Sequence, residues 1–380
     1  MKLAIVSLMG GSPWGGSEAL WHAVALHALK QGDEVFVSIY DWGKVHDKIA
    51  QLQAAGAVVY HRKKFNASAG LIEKISRFVA HRVPAANKDY QSIIDFKPEA
   101  IFISQGDSFD LAIHHRPLYK LIAKNAIPYF LVCHTHQQYS WVPDTAVFPG
   151  AVEIFSNAKR VYFISKRQWQ ITERRLVAKI INGQFTWNPL NMELPEQPLD
   201  WPDETIIQMA IVGALEGNKG QDTALEVLSQ PAWTLRNWQL NFYGNGEGKI
   251  YLQSLADFYG IGHKLVFHGH VNDIKAVWQT NHILLVPSAG EGMPINLVEA
   301  MACGRPSVVT DVGGNTELIT EDETGFIAAS PSTASFSTAL EKAWENKAGW
   351  RQMGRHAFDK TKQCLDKNPE IAVHESLKNG

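Results

Sequence analysis

Two carboxylates with seven residues between them, Glu291 and Glu299, stand in the stretch SAGEGMPINLVEAMACGRPSVVTDVGG, Ser288 to Gly314. The apolar run HILLVPS just before it has the composition of a buried strand. Gly290 and Gly292 let the backbone turn and approach a ligand closely. Pro294 suits the first turn of a helix. The amides of Ile295, Asn296 and Leu297 are then unpaired, and with the helix dipole they make a seat for a phosphate. Carboxylates repel phosphate, but as acceptors they suit hydroxyl groups. A ligand with phosphate in its middle and hydroxyl-bearing rings at both ends fits both features. A sugar nucleotide has that shape, with Glu291 near one ring and Glu299 near the other.

Such a site needs a strand to deliver each loop. The chain alternates short apolar runs with helix-period segments: LAIVSL, then a helix over about Ser17 to Gln31, then EVFVSI, AVVYH, AIFIS, PYFLVCH and RVYFIS. Alternation stops at NPLNMELPEQPLDWP, Asn188 to Pro202, whose four prolines mark a linker. It resumes with IIQMAIVG, WQLNFYG, KLVFHG, HILLVPS, PSVVT and GFIAA, and helical residues from about Ala334 to Lys367 follow. The fold class is α/β, with two Rossmann-like parallel-sheet domains. The expected division is 1–187, a linker at 188–202, a donor-binding domain at 203–350, and a helical segment at 351–380 that is a candidate to return to the first domain. Ligands of open parallel sheets bind beyond the carboxyl ends of the strands. The candidate loops are therefore MGGSPWGGSE, SQGDSFD and CHTHQQ in the first domain. In the second they are GALEGNKGQD, YGNGEG, HGHVND and SAGEGMP.

Composition narrows the class. A chain of 380 residues, 45% apolar, can build two ordinary cores. With 19% charged residues and a net charge of −2, it does not look like a nucleic-acid binder. Cys133, Cys303 and Cys364 have no paired spacing, so neither a disulfide framework nor a zinc site is indicated. A reduced, cytoplasmic chain is the expectation. No stretch approaches the roughly 20 apolar residues of a membrane span. Between His61 and Lys88, Arg62, Lys63, Lys64, Lys74, Arg77, Arg82 and Lys88 face a lone Glu73, with apolar residues at helical spacing. Residues 61–88 are thus a candidate peripheral contact with the inner membrane face, set against an ordinary helix with a charged outer side.

The E-x7-E pattern, with EAMACGRP and the following VGG, resembles the signature of family 4 glycosyltransferases, which have the GT-B fold of two Rossmann-like domains facing across a cleft. GGSEALWHAVALHALKQGDEV resembles that family's first glycine-rich loop, helix and second strand, and YGNGEG and VFHGHV its second-domain loops. The resemblance implies a retaining hexosyltransferase-type enzyme that uses a UDP- or GDP-sugar. It also implies a carbohydrate, lipid-linked or small-molecule acceptor in polysaccharide or glycoconjugate biosynthesis. Carried over by position, Glu299 holds the ribose hydroxyls, and Glu291 sits by the donor sugar and its leaving phosphate. Gly292, Met293, Pro294, Ile295, Asn296 and Leu297 hold the distal phosphate and sugar. Gly16 lets the backbone approach the donor or acceptor, Gly213 belongs to the donor-binding set, His270 and Val271 lie against the base, and His134 supports the sugar. Lys219 holds the diphosphate. The catalytic set is Glu291, His134 and Lys219.

One position departs from the pattern. The family carries arginine five residues before that lysine, and here it is Ala214. A methyl group cannot replace a guanidinium fork. Arg305 and Lys264 are candidate substitutes, and a non-catalytic sugar-nucleotide-binding protein of the same fold is the alternative function. No Asp-x-Asp is present, so no metal or other cofactor is expected and Lys219 with helix amides would neutralise the leaving group. The expected mechanism is front-face attack, with the leaving phosphate taking the acceptor proton. A nicotinamide dehydrogenase is disfavoured because GNGEGK puts Lys249 where G-x-G-x-x-G needs its third glycine. Trp14, in the first loop, is a candidate to stack on a ligand ring or simply to pack.

Overall fold

The computed structural model describes residues 1–64, 88–135, 147–203 and 205–380. The chain divides into two compact units, Met1–Pro189 with Asp366–Gly380, and Leu190–Leu365. Each is built on a wholly parallel sheet.

In the first unit, seven strands are β1 (Lys2–Ser7), β2 (Glu34–Tyr40), β3 (Val58–Arg62), β4 (Ala100–Asp107), β5 (Tyr129–Thr135), β6 (Arg160–Phe163) and β7 (Gly183–Phe185). Their order is β3-β2-β1-β4-β5-β6-β7. In the second, six strands are β8 (Ile207–Val212), β9 (Trp238–Tyr243), β10 (Leu265–Gly269), β11 (Ile283–Val286), β12 (Ser307–Thr310) and β13 (Gly325–Ala328), in the order β10-β9-β8-β11-β12-β13. Strand direction of travel across the sheet reverses between β1 and β4, and between β8 and β11. Crevices form at such reversals, because the flanking loops leave toward opposite faces.

Each apolar run of the sequence is a strand here. The one unforeseen strand among the described residues, β7, has three residues with a single apolar side chain, too short to give a pattern. Central strands are continuous apolar runs because helices cover both faces. β1 has Leu3, Ala4, Ile5 and Val6 fully buried, and β11 has Ile283 and Leu284 likewise. Trp21 is fully buried in the first unit, and Trp233, Trp278 and Trp350 in the second.

The chain end is helical, in three helices: Thr333–Glu345, Trp350–Cys364 and Pro369–Asn379. The last packs within the first unit through buried Val373 and Leu377. His374 Nε2 lies 2.6 Å from Asp33 Oδ2, and Lys378 Nζ lies 3.3 Å from the same oxygen.

Arg62 and Glu18 are among the charged residues buried in the first unit. Arg62, expected within a basic surface segment, is in the sheet. Its guanidinium donates to the Ser38 carbonyl and hydroxyl, each at 2.8 Å, and to the Ser7 carbonyl. Lys63 and Lys64 are exposed, with the Lys64 ammonium 3.7 Å from the centre of the Trp42 ring. Residues 65–87 of the proposed membrane contact, including Glu73, Lys74, Arg77 and Arg82, lie outside the described residues.

Glu18, in the first turn of helix Gly16–Lys30, accepts from Ser7 Oγ at 3.0 Å and Trp21 Nε1 at 2.6 Å. Burial pushes its carboxyl up to about 7, against these bonds and the charge of Arg62. The folded chain therefore holds a proton that the unfolded chain releases near pH 4.5, and stability is lost as pH rises between those values. Glu18→Gln removes that loss. Its melting temperature relative to the parent is expected to rise from pH 5 to pH 8, by up to about 3 kcal/mol of stability. A difference independent of pH would contradict this.

Candidate active site

The second unit assembles most of the residues picked out by sequence, at the β8/β11 reversal. The loop after β8 carries Lys219 and the loop after β11 carries Glu291. Lys219 Nζ bonds both Glu291 oxygens, at 2.8 and 3.0 Å. Ser288 Oγ donates to Glu291 Oε1 at 2.7 Å, and the Ser288 carbonyl is held by Thr310 Oγ1 at 2.6 Å. The Glu291 side chain is 8% exposed and that of Lys219 29%, so the pair sits at the lip of the unit.

Backbone bonds lace the neighbouring loops together. Gly213 N donates to the Tyr243 carbonyl at 2.8 Å, and Gly244 N to the Gly269 carbonyl at 2.7 Å. Leu215 N bonds the Asn245 carbonyl at 3.0 Å, and Ala289 N the Asn218 carbonyl at 2.9 Å. Gly213 has φ of +146°, which a side chain would resist. Gly220, at φ +66°, passes so close to β11 that a Cβ would lie 2.1 Å from the Pro287 carbonyl oxygen. Another close approach is at Gly313, φ +51°, where a Cβ would meet the Glu291 carbonyl oxygen at 2.1 Å. Gly313→Ala is therefore expected to cost about 3 kcal/mol or more through clash and backbone strain. It should also displace Glu291, read as a lowered melting temperature together with weaker nucleotide binding. A variant as stable as its parent would refute it.

Pro294 caps the helix Ile295–Ala302 from outside, with φ −71° and ψ 118°, rather than occupying its first turn. Leu297 N is taken by the Pro294 carbonyl at 3.1 Å, so it is not the unpaired donor expected. The amides of Ile295 and Asn296 remain at the helix start. The Asn296 side chain donates to the Val212 carbonyl, binding the helix to the end of β8. Met293 is buried and touches Gly314, whose amide donates to the Gly292 carbonyl at 2.6 Å. His270 is exposed and Val271 half-buried in the loop after β10.

Glu299 is 2% exposed. Burial pushes its carboxyl up to about 7, opposed only by Asn191, whose backbone and side-chain nitrogens both donate to Oε1, at 3.2 and 3.0 Å. Asn191 and Ser288 were not singled out by sequence. Asn191 lies in a stretch that reads as linker and is defined by a partner 108 positions away, whereas Ser288 has its partner three residues on but belongs to no motif that names it.

Neither candidate substitute for the missing arginine can serve. Arg305 is fully buried, and its guanidinium donates to the carbonyls of Trp278, Asn281, Leu199, Cys303, Gly304 and Asp200. Lys264 precedes β10, at the amino end of the sheet, where its ammonium bonds the Thr234 and Arg236 carbonyls. At Ala214 the carbonyl accepts from Gln221 Nε2 at 2.8 Å.

In the first unit, Gly16 is exposed at the start of its helix. His134, on β5, is 2% exposed, with Nε2 3.1 Å from Ser104 Oγ and Nδ1 buried without a partner among the described residues. Burial lowers its pKa to about 3, so the ring is neutral. Trp14 stacks on His46, centroids 4.8 Å apart, and meets His22 edge-on, so it packs within its own unit. Among the described residues no three His, Cys, Asp or Glu side chains group as a metal site. No helix of the described residues is long and apolar enough to cross a membrane.

Two parallel α/β units with these strand orders make the GT-B fold. The Anabaena protein HepE, solved in complex with UDP, superposes with a TM-score of 0.72 over 100% of both chains at 15% identity. Residues 198–360, which lie in the second unit, match the family model for glycosyl transferases group 1. An uncharacterized glycosyltransferase of Haemophilus influenzae is 25% identical over 285 residues, 74% of this chain and 79% of that protein. The lipopolysaccharide glucosyltransferase WaaG of Escherichia coli K12 is 29% identical over 166 residues, 43% of this chain and 44% of its own. The chain spans 36% and 31% of the matched glycosyltransferases of Bacillus subtilis and Methanocaldococcus jannaschii.

Proposed function

We propose that the protein is a retaining, metal-independent glycosyltransferase of family 4 that moves a sugar from a UDP- or GDP-sugar to a hydroxyl acceptor. The observation that carries this reading is the meeting of Lys219, Glu291 and the start of helix Ile295–Ala302 at one strand-order reversal. A cation, a hydrogen-bond acceptor and outward amides at one point suit a diphosphate bearing a sugar. The UDP complex of HepE and the activity named for WaaG agree with that donor class and with a sugar or lipid-linked acceptor.

In this mechanism the bond from the anomeric carbon to the diphosphate oxygen breaks while the acceptor oxygen attacks from the same face. The acceptor proton passes to the departing phosphate oxygen. Lys219 and the Ile295 and Asn296 amides stabilise the charge that develops there, which lowers the barrier because they need little reorganisation. Glu291 orients sugar hydroxyls, and Glu299 accepts from the ribose. Gly16, Gly213 and Gly292 to Leu297 supply close backbone approach, and His270 with Val271 flank the base. His134, neutral, supports the sugar as a hydrogen-bonding group rather than as a base. A cytoplasmic enzyme of polysaccharide or glycoconjugate biosynthesis fits these roles.

A thermal-shift series with UDP and GDP tests the donor class. Ligand at about one hundred times its dissociation constant stabilises by about 2.7 kcal/mol. A shift with one nucleotide and not the other names the base, and no shift with either rejects the reading. The second reading, binding without turnover, is favoured by Ala214 alone. Donor hydrolysis or transfer by the purified protein would reject it.

A further inference from the structure

We propose that Asn191, in the segment leading into the second unit, is the positioning residue that aims Glu299 at the vicinal hydroxyls of a nucleoside ribose. The role rests on the sugar-nucleotide reading of the site.

The geometry is one-sided. Both donors of Asn191, its backbone N–H and its side-chain amide, converge on Oε1 of Glu299, at 3.2 and 3.0 Å. No described residue bonds Oε2, and that atom is not among the fully buried atoms lacking a partner. One oxygen is thus tied to protein and the other is left as an acceptor. A carboxylate held by one oxygen cannot rotate to split its acceptors between protein and ligand. No cation pairs with Glu299 among the described residues. The nearby titratable groups are Cys303, which burial keeps as a neutral thiol, and Arg305, committed to carbonyls. Burial favours the protonated acid, and Asn191 is the group that opposes it by hydrogen-bonding the charged form. A protonated Glu299 would have to spend its own hydrogen before accepting from a ribose diol. Asn191 therefore sets both the direction and the charge state of the ribose acceptor.

The test is the pH dependence of nucleoside-diphosphate affinity, measured by calorimetry from pH 5.5 to 9 on the full chain. UDP or GDP is used, whichever binds, beside its 2′,3′-dideoxy analogue. Beyond the limb both ligands share from the diphosphate's own ionisation at about pH 6, the parent should show an extra limb for the nucleotide alone, losing affinity as pH falls through about neutral. In Asn191→Ala the limb should move up by about one pH unit or more. Affinity at pH 7 should fall about tenfold and return to within threefold of the parent at pH 9. Asn191→Ser, a milder change, should move it less, and Asn191→Asp should move it further because two adjacent carboxyls share a proton. An unmoved limb in Asn191→Ala and Asn191→Ser would overturn the proposal. So would equal weakening of nucleotide and dideoxy analogue at every pH, which is the mark of a merely structural role. If neither UDP nor GDP binds the parent, the sugar-nucleotide reading itself falls and takes this role with it.

Discussion

Glu291→Gln is expected to lower the transfer rate at least a hundredfold while leaving the affinity for UDP or GDP unchanged or higher. The two oxygens of Glu291 occupy the Lys219 ammonium at 2.8 and 3.0 Å. A diphosphate must draw that ammonium away, so part of its binding energy goes to breaking the pair. Glutamine keeps the size and one acceptor but no charge. Lys219 is then available to phosphate from the start, and Ser288 can still bond the amide oxygen. In the proposed role Glu291 fixes the sugar against the attacking acceptor, and glutamine no longer offers two equivalent acceptors for that. Misplacement of a reacting group by about 1 Å can cost a hundredfold. Calorimetry with the free nucleotide and a radiolabelled transfer assay separate the two effects. Nucleotide affinity falling in step with the rate would show that Glu291 serves binding alone, and the assignment would fail.

Lys219→Ala should do the reverse to binding and as much to catalysis. Removing one donor from a developing oxyanion costs a factor of about a hundred to a thousand in rate, about 3 to 4 kcal/mol. Here the loss should lie at the upper end. Arg305 and Lys264 are committed to carbonyl groups and cannot move to the leaving phosphate. Nucleotide affinity should fall as well, since a charge-assisted bond to phosphate is lost and Glu291 is left without its counter-charge. Lys219→Arg should recover part of both, because it restores a cation on a stem of similar length. A Lys219→Ala variant with near-parental turnover would place leaving-group stabilisation elsewhere. Equal loss of nucleotide affinity in Lys219→Ala and in Lys219→Arg would point to loop disruption instead.

The reach of the sequence differs between fold and site. Strand positions were legible because a buried parallel strand is a local apolar run, whatever it packs against. β7 escaped because an edge strand of three residues gains little from burial and needs no pattern. The Glu291–Glu299 spacing and the glycines around it were legible for a similar reason, since backbone approach and helix starts leave local marks. The partners were not. Asn191 and Glu299 are 108 positions apart, and Lys219 and Glu291 are 72 apart. Charge also misled where burial decided its meaning. Arg62 and Arg305 looked available to a membrane or a phosphate, yet both are buried and serve backbone carbonyls. The same composition in a surface loop would carry the opposite role.

By itself the sequence determined two α/β halves and the acid, glycine and lysine set of the second one, because these follow from periodicity and from residue chemistry within a few positions. Only the tertiary structure decided which groups hold one another: Lys219 on Glu291, Asn191 on one oxygen of Glu299, and the two arginines withdrawn from solvent. Desolvation and hydrogen bonding act through space, and the order of strands in a sheet, not the order of residues in the chain, sets which loops are neighbours.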